Sequence, residues 1–344
     1  MPNEILTRAI DRLAAREDLA EGEAEEVLAA IMAGDASETQ IAGFLIALRT
    51  KGETAAELAG MARTMRRFAL PVDVGRDDLV DTAGTGGGRS SFNVSTTAAL
   101  IAAGAGCAVA KHGNRSATSR SGSADLLEAL GVRIDLEGAQ VAESIRRAGF
   151  GFIFAPAHHQ ATRYVVPVRR ELAVRTAFNL LGPLTNPAGA RRQLIGVSDA
   201  AALDTVAGAL ALLGVDRALV VTGADGLDEV SDSAPTIVVE VAGEEVVRYE
   251  LDPAELALGG DGAAPAGGSP AENAAVTRAI LAGGGAPGER LALANAGAAI
   301  YAAGRADTVA GGVEVAREAI ASGAAAEALE RLVAVTSELS GAPA

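Results

Sequence analysis

From about residue 72 onward, short apolar runs alternate with stretches of helical period, and this alternation constrains the fold more than any other feature of the sequence. Residues 79–82, 107–111, 150–154, 194–197, 218–223 and 236–241 read as strands. Residues 95–103, 123–130, 139–148 and 200–213 read as helices between them. A strand that lies parallel to its predecessor needs a crossover, and a helix supplies it. The order therefore predicts an α/β fold with a mostly parallel central sheet covered on both faces. Ligands of such sheets sit on the loops beyond the carboxyl ends of the strands.

The first seventy residues carry a different signal. Leu6, Ile10 and Leu13, then Val27, Leu28 and Ile31, then Ile41, Phe44, Leu45 and Leu48 recur at helical spacing, punctuated by Gly34, Gly52 and Gly60. This predicts a small all-helical domain over 1–70, for packing or dimerisation, ahead of a larger α/β domain over 71–344. Some helices near 160–190 are expected to pack with the helical part. Residues 259–268 have no periodicity and read as a surface loop, closed by the helix start Ser269-Pro270-Ala271-Glu272.

Composition narrows the partners. With 29 Lys+Arg against 44 Asp+Glu the net charge is −15, which repels phosphodiester backbones and anionic membranes, so neither nucleic acid nor a membrane is an expected partner. The single cysteine, Cys107, allows no intrachain disulfide and reads as inert in a buried strand. The first twenty residues hold seven charges and do not resemble a secretory signal. The uncharged stretch 90–110 is interrupted by Asn93, hydroxyls and two glycines and reads as loop, helix and strand rather than as a membrane span, so a cytoplasmic location is expected.

Four segments carry chemistry. Asp81-Thr82-Ala83-Gly84-Thr85-Gly86-Gly87-Gly88 follows a strand and leads through Asn93-Val94-Ser95-Thr96 into an alanine-rich helix. Glycines let backbone amides approach an anion, the helix start adds unpaired N–H groups, and the short polar side chains can cap the helix or meet phosphate oxygens. It matches neither a P-loop nor a dinucleotide fingerprint, and a plain strand-to-helix turn is the alternative. The window 111–123 holds Lys111, Arg115 and Arg120 with many hydroxyls and no acid before Asp125, either a phosphate-reading cationic loop or a solvated turn. Arg169 and Arg170 suit bidentate recognition of a carboxylate, unless they pair with Glu171. The following Leu181-Gly182-Pro183-Leu184-Thr185-Asn186-Pro187 reads as a loop specified by shape. Asp228 and Glu229, adjacent on a loop, can both reach a hard cation such as Mg²⁺, or are merely solvated. His158 and His159 are adjacent, point in different directions and lack a third ligand at metal spacing, so supporting roles are expected of them.

In combination and in order, Gly-Thr-Gly-Gly…Phe-Asn-Val-Ser-Thr, Lys-His-Gly-Asn-Arg…Ser-Gly-Ser-Ala-Asp, Arg-Thr-Ala-Phe-Asn-Leu-Leu-Gly-Pro-Leu-Thr-Asn-Pro and Gly-Leu-Asp-Glu resemble the anthranilate phosphoribosyltransferase family over nearly the whole chain. The resemblance implies transfer of phosphoribose from 5-phosphoribosyl 1-diphosphate to anthranilate with Mg²⁺, the second step of tryptophan biosynthesis from chorismate, by a homodimer joined through its helical part. It implies that diphosphate and ribose meet Gly84, Gly87, Gly88, Ser91, Asn93, Val94, Ser95 and Thr96. The ribose-phosphate side would meet Lys111, His112, Gly113, Asn114, Arg115, Ser116, Ala117, Thr118 and Ser119, together with Ser123. Anthranilate would meet Gly84, Asn114 and Arg169, with Arg169 taking the carboxylate. Ser95, Asp228 and Glu229 would hold the metal, and Lys111, Asn114 and Arg169 would carry the catalysis.

Two departures from the family pattern stand out. The usual Gly-Gly-Asp-Gly reads Gly86-Gly87-Gly88-Arg89 in a loop one residue shorter, which leaves Arg89 to contact a phosphate in place of the missing Asp. The usual His-Pro-Ala-Met-Lys reads His159-Gln160-Ala161-Thr162-Arg163, where a changed arylamine preference would arise. The alternatives are a pyrimidine nucleoside phosphorylase, which needs no metal pair, and a nucleic-acid-binding paralogue, which would need a basic groove.

Overall fold

The helical part forms because each helix buries an apolar face and three of the four begin at a side-chain cap. The computed structural model describes residues 1–89, 91–116, 120–258 and 264–341. In it α1 (Glu4–Ala14), α2 (Glu21–Ala33), α3 (Glu38–Lys51) and α4 (Ala55–Phe68) make a bundle. Asn3, Ser37 and Thr54 cap α1, α3 and α4 with their side-chain oxygens. Gly34 and Gly52 end α2 and α3 as the sequence suggests, but Gly60 does not punctuate. It lies inside α4, where a Cβ would stand 2.2 Å from the Glu21 carbonyl, so its role is close approach of α4 to α2.

The α/β part contains β1 (Leu79–Gly84), α5 (Val94–Gly104), β2 (Ala108–Gly113), α6 (Ser123–Ala129), α7 (Gly138–Ala148) and β3 (Phe150–Phe154). Three short helices follow, α8 (Ala155–His158), α9 (Val166–Leu172) and α10 (Phe178–Leu181), then β4 (Arg192–Gly196), α11 (Leu203–Leu212) and β5 (Arg217–Gly223). The chain continues through β6 (Thr236–Ala242) and β7 (Glu245–Leu251) into α12 (Pro270–Leu281), α13 (Glu289–Ala302), α14 (Val309–Ala321) and α15 (Ala324–Leu339). The sheet order is β3-β2-β1-β4-β5-β6-β7, parallel from β3 to β5 and antiparallel at β6 and β7. The six strands read from the sequence are all present. The seventh, β7, escapes that reading because it is an exposed, charge-bearing edge strand reached by a tight hairpin. Of the four C-terminal helices, only the start of α12 is marked in the sequence reading, and its Ser269–Glu272 capping box is formed. Of the expected surface loop at 259–268, residues 259–263 lie outside the described residues.

One face of the sheet is covered by α5, α13 and their neighbours, with Leu100, Ile101, Val109, Leu219 and Ile300 in one core. On the other, Leu203, Val206 and Leu210 of α11 join Ile195 and Val220 of the sheet, Val165, Val168, Phe178 and Leu181 of the α9–α10 segment, and the whole bundle interior. The segment near 160–190 thus packs with the bundle. Among the described residues no helix is long and apolar enough to cross a membrane.

The shape-specified turn 181–187 is fixed by two buried amides. Asn186 Nδ2 donates to Asp81 Oδ2 and to the Ala110 carbonyl, both at 2.8 Å, and Gln193 Nε2 donates to the Pro183 carbonyl at 2.8 Å. Asp81 is fully buried and also accepts the His112 N–H at 3.1 Å. Asn186→Ala removes one hydrogen bond each from the buried Asp81 carboxyl and the Ala110 carbonyl, and should destabilise the chain by about 1–3 kcal/mol. The urea midpoint tests this, and an unchanged midpoint would show that the turn does not depend on Asn186.

Candidate active site

The four segments singled out in the sequence meet at the carboxyl ends of β1, β2, β4 and β5. The turn after β1 is pinned on both sides. Thr85 N–H donates to the Gly196 carbonyl at 2.8 Å, and the Gly86 carbonyl accepts from Arg175 Nη1 at 2.9 Å and Ser198 Oγ at 3.0 Å. At the far end Arg89 N–H donates to the Gly226 carbonyl at 2.8 Å. The turn lies directly on the acidic pair. Gly84 faces Asp228, a Cβ on Gly88 would stand 2.4 Å from Asp228 Oδ1, and Gly86 N–H bonds the Asp228 carboxylate. Gly87 has φ +94°, with Arg175 against it. Arg175 is a residue to which the sequence reading gives no role.

Asn93 precedes α5 but neither caps it nor stands free for an anion, contrary to expectation. Its amide donates to the Ser121 carbonyl at 3.0 Å, and its Oδ1 accepts from Ser121 Oγ at 3.0 Å and Asn273 Nδ2 at 2.8 Å. The partners come from a distant loop and from α12, which a local pattern does not contain. Ser91 Oγ bonds the Phe92 carbonyl, and Val94 is buried in the first turn of α5. In the same turn, Ser95 N–H bonds the Glu229 carboxylate, and Thr96 Oγ1 is a buried hydroxyl with no partner among the described residues.

Asp228 and Glu229 are half-buried together. Burial pushes both carboxyls up, Glu229 to about 8, with Asp228 beside it adding to the rise and Lys111 opposing it. Lys111 is 1% exposed, so it stands in the floor rather than on a loop. Its ammonium donates to the Thr82 carbonyl and to Thr82 Oγ1, and faces Asp81 and Glu229.

The window 111–123 is not the uncompensated cationic loop that its local sequence suggests. Arg115 pairs with Asp125 at 3.0 Å and Glu128 at 2.5 Å, and Arg120 lies 3.8 Å from Glu272. The neutralising acids sit on α6 and α12, beyond the window. Ser116 N–H donates to Asp125 Oδ2, Gly113 closes against Ser123, and Ser123 Oγ donates to the Asn114 carbonyl. Ala117, Thr118 and Ser119 lie outside the described residues. Arg89 also carries a paired charge, with its guanidinium 3.2 Å from Asp225, on the turn that leads into the acidic pair.

A second compartment lies on the other side of β2. Alternation along the strand sends Lys111 toward Glu229 and its neighbour His112 toward a cavity of about 350 Å³. Met65 of α4, Asn114, Pro156, His159, Arg169, Phe178 and Gly182 are among its walls. His112 Nδ1 lies 3.2 Å from the Gly182 carbonyl, and burial drives its imidazole down to about 3. Burial likewise drives His159 down to about 4, and the Thr185 carbonyl accepts from its ring. Both imidazoles are therefore neutral near pH 7, and the Nε2 atom of each is buried without a partner among the described residues. His158 has the expected supporting role, with Nδ1 3.0 Å from the Leu70 carbonyl, whereas His159 faces the cavity.

Arg169 is the one charged residue of the cavity wall near pH 7. Its Cζ lies 5.5 Å from the Phe178 ring centre, its Nε is buried without a partner, and among the described residues it forms no ion pair, with Glu171 or any other acid. The lining thus offers one guanidinium, neutral acceptors and an apolar wall, a set that suits a small aromatic acid.

Residues 76–326 match the glycosyl transferase family a/b domain, and residues 7–69 match that family's helical bundle domain. The chain is 51% identical to an anthranilate phosphoribosyltransferase of Rubrobacter xylanophilus over 98% of this chain and 99% of that one. The crystal structure of anthranilate phosphoribosyltransferase from Thermus thermophilus superposes with a TM-score of 0.88 at 48% identity, covering 95% of this chain and 99% of that one. A Saccharomyces cerevisiae anthranilate phosphoribosyltransferase in complex with PRPP and Mg superposes with a TM-score of 0.86 at 28% identity, over 98% and 99% of the two chains. With a match of this extent in sequence and in fold, the chain belongs to the anthranilate phosphoribosyltransferase family.

Proposed function

We propose that the chain transfers the 5-phosphoribosyl group of 5-phosphoribosyl 1-diphosphate to the amine of anthranilate with release of diphosphate, in tryptophan biosynthesis; its relatives bear the name anthranilate phosphoribosyltransferase. The observation that carries the proposal is the adjacency, across one strand, of an acidic pair roofed by a glycine turn and an aromatic-sized cavity holding a single guanidinium. Loss of anthranilate fluorescence in the presence of purified protein, donor and magnesium tests it. No turnover under those conditions would sink it.

Asp228, Glu229 and the Ser95 hydroxyl are hard oxygen donors, and two carboxyls raised by their shared burial fit a divalent cation that relieves both. Among the described residues no group of three or more His, Cys, Asp or Glu is placed to hold a metal ion, so Asp228, Glu229 and Ser95 are the side chains that would hold Mg²⁺. When bound, Mg²⁺ supplies charge neutralisation to the departing diphosphate. The residues of the chain do the rest. With the Thr85, Gly86 and Arg89 amides bound within the chain, the turn offers its Gly87 and Gly88 N–H groups to the diphosphate, and the unpartnered Thr96 hydroxyl offers a further bond. Lys111 holds Glu229 from below. Arg169 takes the carboxylate of the acceptor and Asn114 orients its amine toward the anomeric carbon, which is attacked with inversion through an oxocarbenium-like state. An arylamine attacks as the neutral base, and the acidic proton its nitrogen sheds once the bond to carbon forms passes to the released diphosphate or to water, so no proton acceptor of high pKa is needed, consistent with two imidazoles held neutral. Pairing of two copies through the helical part belongs to the same proposal.

Replacing Asp228 by Asn and Glu229 by Gln together should abolish turnover at any practical magnesium concentration, and near-normal rates would remove the metal assignment. Arg169→Ala should raise the anthranilate KM at least about tenfold, the loss expected for one charge-assisted pair, with little change in the donor KM. Parallel changes in both constants would remove Arg169 from the carboxylate. With Glu229 holding its proton up to about pH 8, proton and cation compete below that value. The magnesium concentration needed for half-maximal rate should therefore fall as pH rises from 6 to 8, by up to about tenfold per unit for one competing proton, and level off above. A flat dependence would show that Glu229 is ionised throughout.

A further inference from the structure

A guanidinium withdrawn from water is ordinarily matched by an acid. Arg169 is half-buried and burial lowers its pKa, yet its two neighbours in the structure are uncharged. One is the Phe178 ring. The other is Asn179, whose Oδ1 lies 3.4 Å from Arg169 Nη2. That oxygen also accepts the Thr176 N–H at 2.9 Å, while Asn179 N–H returns a bond to the Thr176 carbonyl at 2.8 Å. The Thr176 amide therefore decides which end of the Asn179 side chain faces Arg169, and it is the acceptor end. The contact to the guanidinium is long and neutral, enough to set its direction and too weak to satisfy its charge.

We propose that Asn179 is a positioning residue for Arg169 and that its neutrality is part of its function. It aims the guanidinium along the cavity wall and leaves the charge unspent for the carboxylate of the incoming aromatic acid. An aspartate in its place would have nearly the same shape and would still accept the Thr176 N–H. It would also pair with Arg169 and occupy the fork before the substrate arrives. The inference rests on the proposed reading of Arg169 as the carboxylate-binding group.

Steady-state kinetics of the full chain at saturating magnesium, with anthranilate and donor varied separately, test it on Asn179→Asp, Asn179→Ala, Asn179→Ser and Arg169→Ala. Asn179→Asp should raise the anthranilate KM at least about tenfold, the order of one lost charge-assisted contact, and leave the donor KM within about twofold. Asn179→Ala should raise the anthranilate KM by less than Asn179→Asp, and Asn179→Ser, which restores a neutral acceptor, should lie nearer the parent. An unchanged anthranilate KM in Asn179→Asp, or equal rises for both substrates, overturns the inference. Should Asn179→Asp fail to fold, equal anthranilate constants for the Ala and Ser variants overturn it instead. If Arg169→Ala itself leaves the anthranilate KM unchanged, the underlying reading of Arg169 fails. If Arg169→Ala raises it and Asn179→Asp does not, only the role of Asn179 fails.

Discussion

The ammonium of Lys111 is the interaction on which the rest of the site depends. It is buried on β2 against Thr82 of β1, with Asp81 and Glu229 as the opposing charges. Without it, the buried Asp81 and Glu229 carboxyls would lose the ammonium that faces both, in a medium that screens poorly. With it, β1, β2 and the loop after β5 share one electrostatic centre. Thr82 passes the connection upward, since its hydroxyl accepts from Lys111 and donates to the Ser95 carbonyl at 2.9 Å in the first turn of α5. Floor, acidic pair and helix start are thereby held in one frame before any ligand arrives, which is what preorganisation means here.

The same strand divides the chemistry. Successive side chains of β2 leave on opposite faces, so Lys111 serves the charged compartment and His112 the aromatic one. The charged side collects carboxylates, an ammonium and amide donors under a roof of glycine. The aromatic side excludes acids and keeps both imidazoles uncharged, so its one guanidinium is not diluted by competing charge. Two substrates of different polarity can thus be held close together without either being offered the other's binding groups.

Much of this arrangement is readable in the sequence, because its parts are local. Periodicity marks the six strands and the helical bundle, the glycine run marks a turn that must lie flat on something, and the polar Asn93-Val94-Ser95-Thr96 stretch marks the start of a helix. What the sequence does not disclose is which groups are already engaged. Arg115, Arg120 and Arg89 look available because their windows lack acids, but their partners Glu128, Glu272 and Asp225 arrive from other elements. Arg89, in the place of the family's Asp, is an exposed side chain paired with Asp225. Asn93 reads as a cap and is instead a tie between a loop and α12. Arg175 and Asn179 stand in a quoted motif but receive no role from it, since their contacts are to a backbone carbonyl and a neighbouring side chain that only the fold brings near. β7 is missed because this edge strand is exposed along most of its length and carries charges instead of an apolar run.

The aromatic cavity has walls from two sources, Met65 from the helical bundle and His112 and Asn114 from the sheet, with the α9–α10 segment between them. Its width is therefore the distance between two bodies of secondary structure. A molecule that fits the gap acts as mortar, stabilising the bundle against the sheet by mass action in proportion to its occupancy. Conversely, a substitution deep in the bundle that tilts α4 changes the width of the gap while leaving its polar wall groups unchanged. The shape of this cavity is thus set in part by apolar residues of the bundle that none of its polar groups touch.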